Sequence, residues 1–153
     1  MDINRYDDIK FSTDFKTFSF ISTGPKGNLV KVVQFIDFRH VQASHNLALG
    51  TRRGDVIDYN ETTDNGDRDR ILATIFHIAT AFSHGYPDQR IFIRGRNQAT
   101  TRLYRGTINH EYLNIIKEFI IYGGIYVENE GRYNFEQFIS SKQYDAFLFE
   151  RRQ

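Results

Sequence analysis

Four arginines in one short stretch carry the most chemistry in this chain. Arg94 precedes the segment GRNQATTRLYRG (95–106), which holds Arg96, Arg102 and Arg105. From Arg90 to His110 there are five arginines and no carboxylate. A guanidinium is a fixed fork of N–H donors that matches phosphate and carboxylate oxygens. The run QRIFIR before it alternates as a strand does, so Ile91 and Ile93 point to a core and Arg94 and Arg96 emerge opposite. Arg102 and Arg105 are three apart, which makes them neighbours on one side of a helix. A helix beginning near Gln98 to Thr100 would open its first amides and positive dipole end beside them. Thr100 and Thr101 could add hydroxyls, and Tyr104 a stacking face or a phenol. Together these residues outline an anion site at a strand-to-helix junction. The rival reading is a solvated face whose arginines pair with acidic residues elsewhere.

The charge distribution supplies that rival. The formal net charge is only +1. Residues 51–89 hold four basic and seven acidic side chains, whereas residues 90–153 hold ten and seven. The acids concentrate in the 55–69 segment, so the asymmetry marks either an electrostatic footprint or two parts that pair.

Other chemistry has weaker support. The arginine stretch is neither GxxxxGK[ST] nor GxGxxG. The five histidines, His40, His45, His77, His84 and His110, show no HExxH or HxH spacing, and His77, inside an apolar helix pattern, reads as a core or boundary residue. The run DNGDRD (64–69) lacks EF-hand spacing, which favours capping and turn roles over metal. No serine sits in a GxSxG elbow. Lys26 of GPKG (24–27) could meet a phosphate, but a hairpin turn accounts for that motif. The absence of cysteine excludes disulfides, a thiolate nucleophile and cysteine-ligated zinc. No metal and no cofactor is expected.

The elements that must hold the arginines follow from periodicity. FKTFSFIST (15–23) alternates as a half-buried strand with Phe18 and Phe20 inward. In GPKG, Pro25 and Gly27 suit positions of a type I turn. NLVKVVQFIDF (28–38) is apolar on both parities, as in a strand covered on both faces, and HNLALGT (45–51) predicts a third strand. A polar connection follows, ending in Asp64, Asn65 and Asp67 as candidate caps and Asp69 in a first helical turn. Ile71, Leu72, Ile75, Phe76, Ile78, Ala79 and Phe82 form a helical stripe, stopped by Gly85 and Pro87. A strand over 89–95, a helix over 100–119 with a kink near Gly106 or Asn109, and a strand over 120–128 come next. Gly123-Gly124 marks a bulge or a close backbone approach. A short helix over 134–144 and a final strand or docked tail over 145–152 complete the order. The fold class is therefore α+β: an N-terminal three-stranded antiparallel meander, then α-β-α-β-α-β, with one mixed or antiparallel sheet packed on helices.

The chain has 153 residues and is 40% apolar, which fits a single domain over 1–153 with its own core. The polar, acidic start MDINRYDDIKF is unlike a signal peptide, and no apolar run reaches membrane-spanning length. A soluble cytoplasmic protein with no membrane partner is the expectation.

Four segments carry a family resemblance. They are FISTGPKGNLVKVVQF (20–35), DNGDRDRILATIFHIATAF (64–82), GRNQATTRLYRGTI (95–108) and YDAFLFERR (144–152). Their order resembles that of a small bacterial family catalogued as a domain of unknown function. Its members carry GPKG, an NGD followed by LAT, G-S-T-x-x-R-T-R-L-Y-R and a C-terminal Y-x-x-F-L. The resemblance brings no activity with it. This chain has Gly95-Arg96-Asn97 at the family's G-S-T, and a threonine stands where the family has the first arginine of R-T-R. Arg102, Tyr104 and Arg105 match.

Three functions compete. The first is binding of a phosphate-bearing partner, nucleic acid or nucleotide, at Arg94, Arg96, Thr100, Thr101, Arg102, Tyr104 and Arg105. The second is a protein-interaction module, such as a toxin–antitoxin component or a homo-oligomer. The third is a small metal-independent ribonuclease-like enzyme using His84, His110 or Tyr104 for proton transfer.

Overall fold

The computed structural model describes residues 4–59 and 64–153. Among the described residues nine strands form one sheet in the order β1-β2-β3-β4-β6-β9-β7-β8, with β5 off this path and paired to β4. The expected α+β class holds. The chain divides into two compact units, one formed by Asp2–Ile36 with Leu47–Tyr86, the other by Asp37–Asn46 with Pro87–Gln153.

The first unit begins with β1 (Lys10–Phe11), β2 (Thr17–Gly24) and β3 (Gly27–Asp37). These three are antiparallel neighbours, and the two-residue connection between β2 and β3 puts Gly24 opposite Gly27. Gly27 takes φ +88°, a conformation that a side chain resists. The alternation in β2 behaves as expected: Phe18, Phe20 and Ser22 are buried. Strand β4 (Ser44–Arg53) follows, and β5 (Val56–Asp58) folds back on it. Sequence reasoning treats β5 as part of a polar connection. Three residues show too little period to signal a strand, and only the ladder to Thr51–Arg53 defines it.

Helix α1 (Arg68–Gly85) buries Ile71, Ile75, Ile78 and Phe82, while Ala73 and Thr74 are also covered and Leu72 and Phe76 lie at the margin. Phe82 stacks on Phe35 with ring centroids 4.0 Å apart. Full burial of such a ring contributes roughly 1.5–3 kcal/mol. His77 is exposed rather than a core or boundary residue, because the stripe turns past it. Its pKa lies below the ordinary value through partial desolvation and the nearby Arg5 charge.

The expected caps do different work. Asp67 occupies the N-cap position but makes no side-chain cap bond. Its Oδ2 accepts from the Ser22 hydroxyl at 2.6 Å and from the Tyr6 phenol. Asn65 is 1% exposed, and its Oδ1 accepts from Lys26 N at 2.7 Å. Its Nδ2 donates to Ser22 Oγ at 3.1 Å and to Gly27 O at 3.0 Å. The NGD segment thus locks the GPKG hairpin by satisfying two of the turn's backbone groups, Lys26 N–H and Gly27 O. Asp69 sits in the first turn as expected.

In the second unit the first residues of β4 run parallel to β6 (Arg90–Ile93), with His45 opposite Ile91. Helix α2 (Gln98–His110) and helix α3 (Tyr112–Glu118) divide the expected 100–119 helix. The break falls at Glu111, just after Asn109, while Gly106 continues within α2. Strands β7 (Phe119–Val127), β8 (Arg132–Gln137) and β9 (Ala146–Arg151) complete the sheet. Strand β9 is inserted between β6 and β7, antiparallel to both. Strand β9 is therefore interior to the sheet.

The expected helix over 134–144 is replaced by β8. Tyr133 pairs with Tyr126 and Phe135 with Gly124, so cross-strand ring contacts outweigh the cap-like Asn134. Gly123 and Gly124 keep continuous register on both sides, so the pair marks close approach, not a bulge. Strand β6 is covered on both faces. Phe92 joins Val41, Ala146 and Leu148 on one side, while Ile91 and Ile93 are buried on the other.

Candidate anion-binding cleft

Strand β6 ends at Ile93, and four residues carry the chain to α2. Asn97 is the N-cap, and its Oδ1 accepts from Thr100 N at 2.8 Å and from the Thr100 hydroxyl at 3.0 Å. The Thr101 hydroxyl donates to Asn97 O at 3.0 Å and accepts from Gly95 N at 3.1 Å. A Cβ at Gly95 would fall 2.4 Å from Thr101 N, so this turn closes only over glycine. The two threonine hydroxyls expected to face a ligand are therefore spent inside the turn.

A cleft of about 350 Å³ opens beside this junction. One wall is Gly95, Asn97, Gln98, Thr101, Arg102 and Arg105. The other is Ile125, Gln143, Tyr144 and Asp145. Arg102 is exposed, and Arg105 is half-buried with Nη2 3.3 Å from Ser140 O. Arg105 Nε is buried and has no hydrogen-bond partner.

The strand-side arginines lie elsewhere. Arg94 follows the Phe92 parity, 6.0 Å above that ring, and its Nη1 donates to the Tyr133 hydroxyl at 2.7 Å. Arg96, Thr100 and Tyr104 do not line the cleft either. Burial raises the Tyr104 phenol pKa above its ordinary value. Of the two arginine pairs singled out in the sequence, the helical one borders the cleft. His84 and His110 are exposed and also outside it.

The far wall escapes sequence reasoning. Gly123 leaves room for the Tyr144 ring, whose atoms would come within 2.4 Å of an added Cβ. The Tyr144 hydroxyl donates to Glu136 Oε2 at 2.9 Å and accepts from Ile139 N at 3.1 Å. Lys142 Nζ stands 2.8 Å from Glu136 Oε1. Asp145 Oδ2 accepts from Tyr126 N at 2.8 Å, while its own N–H donates to Gly124 O at 2.8 Å. The signals for this wall were Gly123-Gly124 and the terminal YDAFLF, but neither names its partner.

The acidic 55–69 segment belongs to the other unit, and Glu61 lies outside the described residues. Asp67 is engaged by Ser22 and Tyr6, and Asp69 stands 3.8 Å from Arg68. Among the described residues no three histidine or carboxylate groups come together as a metal site.

Hydrogen bonds from Lys142 and then Tyr144 hold the Glu136 carboxyl below its ordinary 4.5. A lowered carboxyl pKa favours the folded state above the unfolded value, and that contribution disappears as pH falls through the folded one. The expected result is an NMR titration midpoint for Glu136 below 4.5, raised by Lys142→Met. A midpoint at or above 4.5 in the unaltered protein would show that the brace does not form.

Among the described residues, the sheet, three helices and a cleft lined by Arg102 and Arg105 define an α+β protein with a small cleft of mixed lining. By sequence the chain belongs to the family of unknown function DUF6934, which it matches over residues 2–152. No curated protein and no solved structure matches it.

Proposed function

We propose that this protein binds a phosphate-bearing partner, a nucleotide or nucleic acid, in the cleft beside β6 and α2. The observation that carries the reading is the placement of Arg102 and Arg105 together on the lining of one cleft. Two guanidinium groups bordering one cleft suit an anionic acceptor, because their forks of N–H donors match phosphate oxygens. The cysteine-free composition and the absence, among the described residues, of a helix apolar enough to cross a membrane agree with action in the cytoplasm.

Calorimetric titration with inorganic phosphate and with a short oligonucleotide tests this reading. Arg102→Gln and Arg105→Gln should each weaken binding on the order of tenfold, the loss of one charge-assisted contact. Affinity for the oligonucleotide should also fall steeply as salt rises. Salt-independent binding, or unchanged affinity in both variants, would remove the cleft as the site.

The protein-interaction reading rests on different residues. Leu113 is 74% exposed on α3 and Ile139 is 51% exposed after β8. Such groups suit a protein contact, although scattered exposed aliphatics are common on monomers. For the ribonuclease-like reading, the group on the cleft lining that could carry a proton is Asp145, since the histidines and Tyr104 lie outside it and the Tyr144 hydroxyl is taken by Glu136 and Ile139 N.

A further inference from the structure

We infer that the cleft takes a small phosphate monoester bearing a flat ring and a hydrogen-bond donor, the make-up of a nucleoside monophosphate, rather than a nucleic-acid strand. This rests on the phosphate-binding reading above and narrows it. Three features of the far wall point there.

The first is Asp145. It places a carboxylate on the lining of the same cleft as Arg102 and Arg105. A strand that brings a phosphate at every nucleotide would meet like charge on that wall, whereas a compact ligand with one anionic end would not. One oxygen, Oδ2, is held by Tyr126 N, which fixes the carboxylate and leaves Oδ1 to accept from a ligand N–H or O–H.

The second is Ile125, which is 37% exposed and gives the lining an apolar surface for one face of a flat ring. Tyr144, also on the lining, is 6% exposed with its hydroxyl taken by Glu136 and Ile139 N. The third is size. At about 350 Å³ the cleft is larger than a phosphate needs and falls in the range of small-molecule sites. The two walls thus offer cations at one side and an acceptor with apolar surface at the other.

The test compares four probes on the full chain by calorimetry: inorganic phosphate, phenyl phosphate, cytidine 5′-monophosphate and a 12-nucleotide single strand. Phenyl phosphate has the ring without the donors. Cytidine monophosphate should bind on the order of tenfold more tightly than phenyl phosphate, and more tightly than the strand. Asp145→Asn keeps an oxygen for Tyr126 N but turns an N–H₂ toward the cleft. It should abolish the advantage of cytidine monophosphate while leaving inorganic phosphate bound as well or better. Arg105→Gln should weaken all the monophosphates together.

Equal affinity for phenyl phosphate and cytidine monophosphate overturns the inference, as does tighter binding of the strand. Both comparisons use the unaltered protein and need no variant to fold. An Asp145→Asn protein that folds and keeps the advantage overturns it too. If arginine-dependent phosphate binding persists in those cases, the broader function stands and only this inference falls. If no phosphate binds, both fall.

Discussion

Gly24→Ala is expected to destabilise the N-terminal hairpin by roughly 3 kcal/mol, the upper end for forced overpacking. A Cβ at Gly24 would lie 1.8 Å from the Asn65 carbonyl oxygen and 2.8 Å from Asn65 Oδ1. Neither group can give way cheaply. Asn65 is 1% exposed, and its side chain already bonds Lys26 N, Ser22 Oγ and Gly27 O. Moving it would strip partners from buried backbone groups as well as strain the chain. Urea unfolding followed by circular dichroism measures the loss. Asn65→Ala should be destabilising too, and because both variants break one lock, the double variant should cost less than the sum. A Gly24→Ala protein within about 0.5 kcal/mol of the parent would mean that the two motifs do not meet as described.

Gly123→Ala is expected to damage stability and the cleft together. The added methyl would meet three atoms of the Tyr144 ring at 2.4 Å, and a rigid ring cannot fold away as a flexible side chain can. Tyr144 must tilt or shift, which pulls its hydroxyl from Glu136 and Ile139 N and disturbs the wall that carries Asp145. The expected cost is about 2 kcal/mol in stability, with weaker binding of cytidine monophosphate. Tyr144→Ala removes the ring, so adding Gly123→Ala to it should cost much less than it does alone. An additive cycle would show that the methyl acts through something other than the ring.

Most of the elements were legible because their periods were long enough to read. The stripe from Ile71 to Phe82 has helical spacing, and the apolar run in β3 suits a strand, with Leu29, Val32, Val33 and Phe35 buried and Ile36 exposed near its end. The segment Arg132–Gln137 was misread because its local signals conflict. Asn134 resembles a cap and the following Phe135 and Phe138 have helical spacing, but Tyr126, Gly124 and Tyr122 of β7 supply a strand partner. Local propensity is weak against such pairing. Likewise Asn65 and Asp67 have the composition of caps, yet a hairpin more than 35 residues earlier claims their side chains.

The sequence by itself determined the α+β class, the GPKG turn, the split of the long helix and the adjacency of Arg102 and Arg105. Each depends on residues within a few positions of one another, where chain geometry alone decides. Only the tertiary structure decided what faces those arginines. Strand β9 enters between β6 and β7, and that insertion brings Tyr144 and Asp145 to a cleft begun by Gly95 and Asn97. It likewise decided that Arg94 turns to Tyr133 and that the Thr100 and Thr101 hydroxyls close their own turn. Strand order is set by the total burial and hydrogen bonding of the sheet, and no local pattern of residues encodes it.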